Sequence, residues 1–191
     1  LVYDGTRLAT DQFHSLPHHL PSGSLLIFNN TRVIHARLIF QKATGARVEV
    51  CCLSPHDPFD YTVSFQQHSR CSWACMIGNA RRWKDETLTM QIPMGEQEGT
   101  LRATKEGMFH HDTVVSFEWS DNRFTFSELL DAAGNLPIPP YLNRPAEKDD
   151  DETYQTVYSR VEGSVAAPTA GLHFTPELMT ELQEKGIETA E

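Results

Sequence analysis

The apolar positions of this chain change their spacing twice. Up to residue 45 they come in short runs. Leu1-Val-Tyr and Thr6-Arg-Leu-Ala flank Asp4-Gly5, the pattern of a hairpin with a tight two-residue turn. Asp11 to Leu20 predicts a short, poorly formed helix broken by Pro17. After the Pro21-Ser-Gly23 turn, Ser24 to Phe28 is an apolar run of buried-strand length. Asn29-Asn30 then predicts a sharp corner, because asparagine tolerates left-handed backbone angles and bonds its own turn. Val33 to Phe40 predicts the next strand.

From Arg47 the period becomes two. Val48, Val50 and Cys52 share a face, and Trp73, Cys75 and Ile77, then Leu88, Met90 and Ile92, alternate in the same way. Thr100 to Ala103, Thr113 to Trp119 and Arg123 to Phe126 extend the series, with Pro55, Pro58, Gly78-Asn79, Pro93, Gly95, Gly99, Gly107 and Asp121-Asn122 between them. Short strands with frequent turns predict a small antiparallel β-barrel over residues 46–126. The fold class expected is therefore mixed α+β: an α/β domain (1–45 and 127–191) interrupted by an inserted barrel domain.

The last third is helical and loop-like. Ser127 is the expected cap of a helix from Glu128 to Ala133 that Gly134 closes. Leu136-Pro-Ile-Pro-Pro-Tyr141 can be neither helix nor central strand, since three of its residues lack an N–H, so it is expected to be an extended strap or docking surface. The acidic run Glu147 to Glu152 leads into a predicted helix, Thr153 to Ser159. That helix would set Tyr154 and Tyr158 on one face, as core aromatics or as an aromatic wall. Gly163 to Phe174 is a small-residue loop. It runs into a helix with Thr175 as cap, Pro176 at the first position, Glu177 at the positive end of the dipole, Leu178, Leu182 and Met179 as its stripe, and Gly186 as its left-handed stop. Backbone N–H groups point outward at such a helix start, which suits a polar ligand.

Composition narrows the function. The 191 residues carry a net charge of −10, which argues against diffuse nucleic-acid binding over the whole surface. A polyanionic partner would need basic residues gathered locally. Arg81-Arg82-Trp83-Lys84 is the best cluster, or else a solvated hairpin tip, and Arg32 with Arg37 is the second. As fixed cations Arg32 and Arg37 suit phosphate or carboxylate, or a structural ion pair. Cys51, Cys52, Cys71 and Cys75 lack the paired spacing of a zinc site and read as ordinary thiols, with no metal expected. No run reaches the roughly 18 apolar residues of a membrane span.

Four stretches, in order, carry a resemblance. They are Leu26-Ile-Phe-Asn-Asn-Thr-Arg-Val-Ile-His-Ala-Arg-Leu38; Leu136-Pro-Ile-Pro-Pro-Tyr-Leu142 with Arg144 and Pro145; Tyr154-Gln-Thr-Val-Tyr158; and Gly163-Ser-Val-Ala-Ala-Pro-Thr-Ala-Gly-Leu-His-Phe-Thr-Pro-Glu-Leu178. Together they resemble the S-adenosylmethionine:tRNA ribosyltransferase-isomerase family of queuosine biosynthesis. His35 departs from the family pattern, where a proline is usual, which bears on the local turn.

The resemblance implies a cytoplasmic, monomeric enzyme with a barrel beside an α/β domain. Its reaction transfers the ribosyl part of S-adenosylmethionine to 7-aminomethyl-7-deazaguanine in the tRNA anticodon and rearranges it to an epoxycyclopentane. Adenine and methionine leave, and no metal or further cofactor is implied. It also implies that a short N-terminal part and roughly the C-terminal half of the family's length lie outside this chain, so residues 1–191 alone are expected to be inactive. The chemistry needs a base beside the sulfonium and a donor for departing adenine. His173 is the expected acid–base, histidine being the side chain that titrates near neutrality. Thr169 and the Gly171 backbone are expected to orient the ribose or the methionine end. Phe174, Tyr154 and Tyr158 are candidates for the wall. Asn30, Arg32 and Arg37 are candidates for the nucleotide or the methionine carboxylate, and Arg81, Arg82 and Lys84 for the tRNA. Two other readings stand beside this one. One is a non-catalytic RNA- or protein-binding module built on the barrel, with Trp83 as its supporting feature. The other is a family relative acting on another nucleoside, for which His35 and a long 55–72 loop leave room.

Overall fold

The computed structural model of the chain describes residues 1–94, 97–138, 142, 144, 146–147 and 149–191. In chain order the elements are β1 (Val2–Tyr3), β2 (Leu8–Ala9), α1 (Leu16–His19), β3 (Leu25–Ile27), β4 (Thr31–Val33), β5 (Arg37–Gln41), β6 (Arg47–Asp57), α2 (Tyr61–Phe65), β7 (Arg70–Gly78), β8 (Leu88–Met94), β9 (Gln97–Phe109), β10 (Asp112–Trp119), α3 (Phe126–Ala133), β11 (Gly134–Asn135), α4 (Asp150–Thr153), β12 (Val161–Ser164), α5 (Pro176–Glu184) and β13 (Glu188–Ala190). Single 3-10 turns occupy Phe13–Ser15, Ala80–Arg82 and Gly171–His173. Two compact units result: Leu1–Arg32 with Lys148–Glu191, and Val33–Glu147.

The second unit is built on one antiparallel sheet in the order β11-β5-β6-β7-β10-β9-β8. β8 returns beside β5, so the sheet curls into a nearly closed barrel. Alternation fills it: Phe40, Val48, Trp73, Leu101 and Phe117 are fully buried. Phe126, the first residue of α3, meets Trp73, Phe117 and Trp119 at ring separations of 5.6, 5.3 and 5.8 Å. The unit is wider than residues 46–126 because β5 and β11 pair into the sheet.

Several local expectations are corrected here. Arg123 to Phe126 is not a strand. Thr125, rather than Ser127, caps α3, accepting from Glu128 N while the Glu128 carboxylate accepts from Thr125 N. This reciprocal capping box wins over the apolar alternation. Gly134 does close α3, its N–H donating to Leu130 O, but in extended rather than left-handed backbone, and it starts β11. The run Val33 to Phe40 is broken at residues 34–36, where Ala36 N donates to Ile34 O. The 55–72 segment is no long loop. β6 passes through Pro55 to Asp57, with register shifts that tolerate proline, and α2 follows. Leu136 and Ile138 are buried and lie in no helix or strand, while Pro139, Pro140, Tyr141 and Pro145, like Gly95, lie outside the described residues.

The first unit holds the small β1–β2 hairpin, the parallel pair β3–β13 and the pair β4–β12. The hairpin loop has four residues, not two, because Asp4 Oδ1 gathers Thr6 N, Thr6 Oγ1 and Arg7 N into an Asx-type turn. Pro17 does not break its helix; it sits in the first turn of α1, where a missing N–H costs little. β3 is only half covered: Leu26 packs on the Leu178–Leu182–Ile187 cluster, whereas Leu25 and Ile27 are 55% and 78% exposed. α5 forms as its sequence predicts. Thr175 accepts from Leu178 N, and past the helix Gly186 (φ 76°) and Ile187 donate back to Gln183 and Leu182.

Thr125→Ala is expected to destabilise the barrel unit by about 1 kcal/mol, and Phe126→Ala by about 3–5 kcal/mol, both read from urea midpoints. Equal, small effects would mean that α3 does not close the barrel core.

Candidate active site

Three segments of the first unit converge on one aromatic cluster. Phe28 directly follows β3, held by its N–H on Ala190 O at 2.8 Å. Tyr158 comes from a turn after α4 in which Ser159 N and Oγ both donate to Thr156 O. Phe174 follows the 3-10 turn Gly171–His173 and precedes the Thr175 cap of α5. Phe28 lies over Tyr158 at 4.4 Å between ring centroids, and Phe174 meets both edge-on, at 5.0 and 6.0 Å. Phe13 adds a T-shaped contact to Phe174 at 5.0 Å and lies 5.2 Å from the His173 ring. Such ring pairs contribute about 0.5–1.5 kcal/mol each beyond their burial.

Gly171 is the fixed point of this arrangement. A β-carbon there would stand 2.4 Å from Tyr158 Oη and 2.9 Å from Thr156 Cγ2, too close for any side chain. Burial raises the Tyr158 phenol above its ordinary pKa, with the Thr156 hydroxyl beside it pulling the other way. His173 is exposed at the rim, and Thr169 is exposed on the preceding loop.

The structure thus joins Tyr158, Gly171, His173 and Phe174, and it does not join every other candidate to them. Tyr154 ends α4 instead of continuing a helix, so it does not share a helical face with Tyr158. Asn30 Nδ2 donates to Glu191 Oε2 at 2.9 Å, and Arg160 approaches the same carboxylate at 3.7 Å. Arg32 is exposed on β4. Arg37 belongs to the second unit. Its Nε lies 2.9 Å from Glu49 Oε1, an ion contact off hydrogen-bond alignment, and its Nη2 donates to Ile138 O. That is the structural ion pair. Phe13 and Phe28 had no site role in the sequence; Phe28 stands directly before Asn29-Asn30 and within the first of the matched stretches, which are the signals that could have found it.

In the second unit Arg81, Arg82 and Lys84 are exposed, but Trp83 is 2% exposed. Its indole N–H donates to Glu86 O, and Lys105 Nζ covers the ring at 5.0 Å. It offers no face to a base, which removes the feature supporting a barrel-based binding module. The four cysteines are free and buried. Burial pushes Cys51 up to about 11 and also raises Cys71 and Cys75, which disfavours the reactive thiolate at these three. Among the described residues no three His, Cys, Asp or Glu side chains are grouped to hold a metal ion, and no helix is long and apolar enough to cross a membrane.

An antiparallel barrel unit with a second α+β unit that carries an aromatic cluster at a helix start defines the class of protein. Within that class, the chain belongs to the queuosine biosynthesis protein family, whose model matches residues 1–191. A curated relative, S-adenosylmethionine:tRNA ribosyltransferase-isomerase of Pelobacter propionicus, is 39% identical over 178 residues. The match covers 93% of this chain and 47% of the relative, so the chain spans about half the length of the curated relative it matches. A solved S-adenosylmethionine tRNA ribosyltransferase from Thermotoga maritima aligns over 94% of this chain and 43% of that one. Its identity is 22% and its TM-score 0.30, a likeness too loose to carry structural argument.

Gly171→Ala is expected to displace the Tyr158 phenol. It should destabilise the first unit by about 1–3 kcal/mol, since a β-carbon there overlaps the Tyr158 oxygen and the Thr156 methyl. Urea midpoints check it; an unchanged midpoint would mean that the Tyr158 ring yields without cost.

Proposed function

We propose that the complete protein transfers the ribosyl part of S-adenosylmethionine to 7-aminomethyl-7-deazaguanine in the tRNA anticodon. It isomerises that group to give epoxyqueuosine-tRNA and releases adenine and methionine. The observation that carries the reading is the Phe28–Tyr158–Phe174 cluster with His173 at its rim. A sulfonium is a cation without hydrogen-bond donors, and aromatic faces stabilise it. Membership of the family and the curated relative's name support the same reading.

His173 takes the acid–base role, moving a proton at the carbon next to sulfur or at departing adenine. Its exposed ring, set against Phe13, leaves it free to meet substrate. Thr169 and the Gly171 backbone orient the ribose or methionine end. Asn30 and Arg32 are the remaining substrate-binding candidates of this unit, while Arg81, Arg82 and Lys84 present exposed cations to tRNA phosphates. The reading takes the protein as a cytoplasmic monomer and needs no metal or further cofactor.

The test incubates the complete protein with S-adenosylmethionine and tRNA bearing the aminomethyl-deazaguanine base. The tRNA is then digested, and mass spectrometry looks for the epoxycyclopentane nucleoside and for free adenine. Both should appear. Adenine alone would mean the wrong acceptor; neither, from a folded protein, overturns the reading. His173→Ala is expected to abolish both products with an unchanged melting temperature, and near-normal turnover would remove His173 from the mechanism.

A further inference from the structure

Among the described residues of the first unit, Thr156 and Asp150 are the buried polar side chains, Thr156 at 5% exposure. Its carbonyl is used twice, by Ser159 N and Oγ, but its own hydroxyl oxygen is sealed from solvent and has no hydrogen-bond partner among the described residues. A valine would fill the same shape without leaving a hydroxyl unpaired, and burying an unpaired hydroxyl opposes folding. The surroundings point to what the hydroxyl is for. Thr156 Cγ2 and Tyr158 Oη flank the same bare backbone at Gly171. Tyr158 Oη and Thr156 Cγ2 stand 2.4 and 2.9 Å from the same point at Gly171, so the two side chains are neighbours, and no hydrogen bond joins their hydroxyls in this structure. The phenol ring itself is fixed by Phe28 on its face and by the edge contact with Phe174.

We propose that Thr156 is a positioning residue acting on substrate through Tyr158. This rests on the function proposed above and goes beyond it by assigning a hydrogen-bond relay. The Thr156 O–H donates to Tyr158 Oη, and the Tyr158 O–H donates to an oxygen of the ribosyl group of S-adenosylmethionine. The relay closes only when the ligand accepts the phenol's hydrogen bond, because the O–H then points to the ligand and the phenol oxygen presents a lone pair toward Thr156. Two hydrogen bonds running in one direction polarise each other, so the second donor strengthens the first. Gly171 is bare because both members of the relay need its space.

The test is a double-mutant cycle in the complete protein, with adenine release as the rate and thermal unfolding as a second readout. A wild type that releases no adenine overturns the proposed function itself and is read before any variant. Given turnover, Thr156→Val should lower kcat/KM about tenfold and Thr156→Ser should restore it to within about threefold of wild type. In a Tyr158→Phe background Thr156→Val should change kcat/KM by less than about twofold, because the residue it acts through is gone. The ligand-free melting temperature of Thr156→Val should stay within about 2 °C of wild type or rise, since no protein partner is lost. Thr156→Val with wild-type kinetics, an equal loss in both backgrounds, or a melting point lowered by more than that overturns the assignment.

Discussion

The Tyr158 phenol has a single place to sit. Its face is taken by Phe28, its edge by Phe174, and its oxygen presses on a backbone position where only glycine fits. This contact ties β3, the turn after α4 and the loop before α5 into one piece. α5 provides the anchor beneath: its Thr175 cap and Gly186 stop fix its ends, and Leu178, Leu182 and Ile187 fasten it to Leu26. The cluster is thus closely packed where the rings meet and exposed where His173 and Thr169 are.

The barrel unit solves a separate problem. Its strands bury large rings on the inside, and Phe126 closes them off from the first turn of α3. Trp83 and the four cysteines are absorbed into this packing. Arg81, Arg82 and Lys84 stay exposed on it. With a net charge of −10 for the chain, the proposed contact with tRNA would fall to local cations of this kind.

Features with short-range causes were legible in the sequence. Thr175-Pro176 and Gly186 bracket α5 because caps and stops are local chemistry. The period-two runs of Val48 to Cys52 and Leu88 to Ile92 show the barrel because a strand buries alternate residues. Features with long-range causes were not. The pairing of β5 with β6 and of β11 with β5 leaves no mark in residues 37–41 or 134–135 themselves. The Thr125–Glu128 box was hidden by Phe124 and Phe126, whose alternation mimics a strand. In the site, His173, Gly171, Phe174 and Tyr158 stood out through the resemblance of their segments. Phe28 and Thr156 lie in matched segments too, but, like Phe13 outside them, they needed the fold, because an aromatic or a hydroxyl acquires its role only from what is packed against it. Arg37 went the other way, since a fixed cation looks the same in sequence whether a carboxylate such as Glu49 already occupies it or not.

In the proposed function the Phe28–Tyr158–Phe174 cluster receives the sulfonium of S-adenosylmethionine. The most direct test is calorimetric titration of the complete protein with S-adenosylmethionine and, separately, with S-adenosylhomocysteine, which lacks the charge. The account predicts that wild type favours the sulfonium and that Phe28→Leu, which keeps bulk but removes the ring, erases most of that preference, a loss of about 0.5–2 kcal/mol. Equal preference in wild type and Phe28→Leu, with both proteins folded, would contradict it.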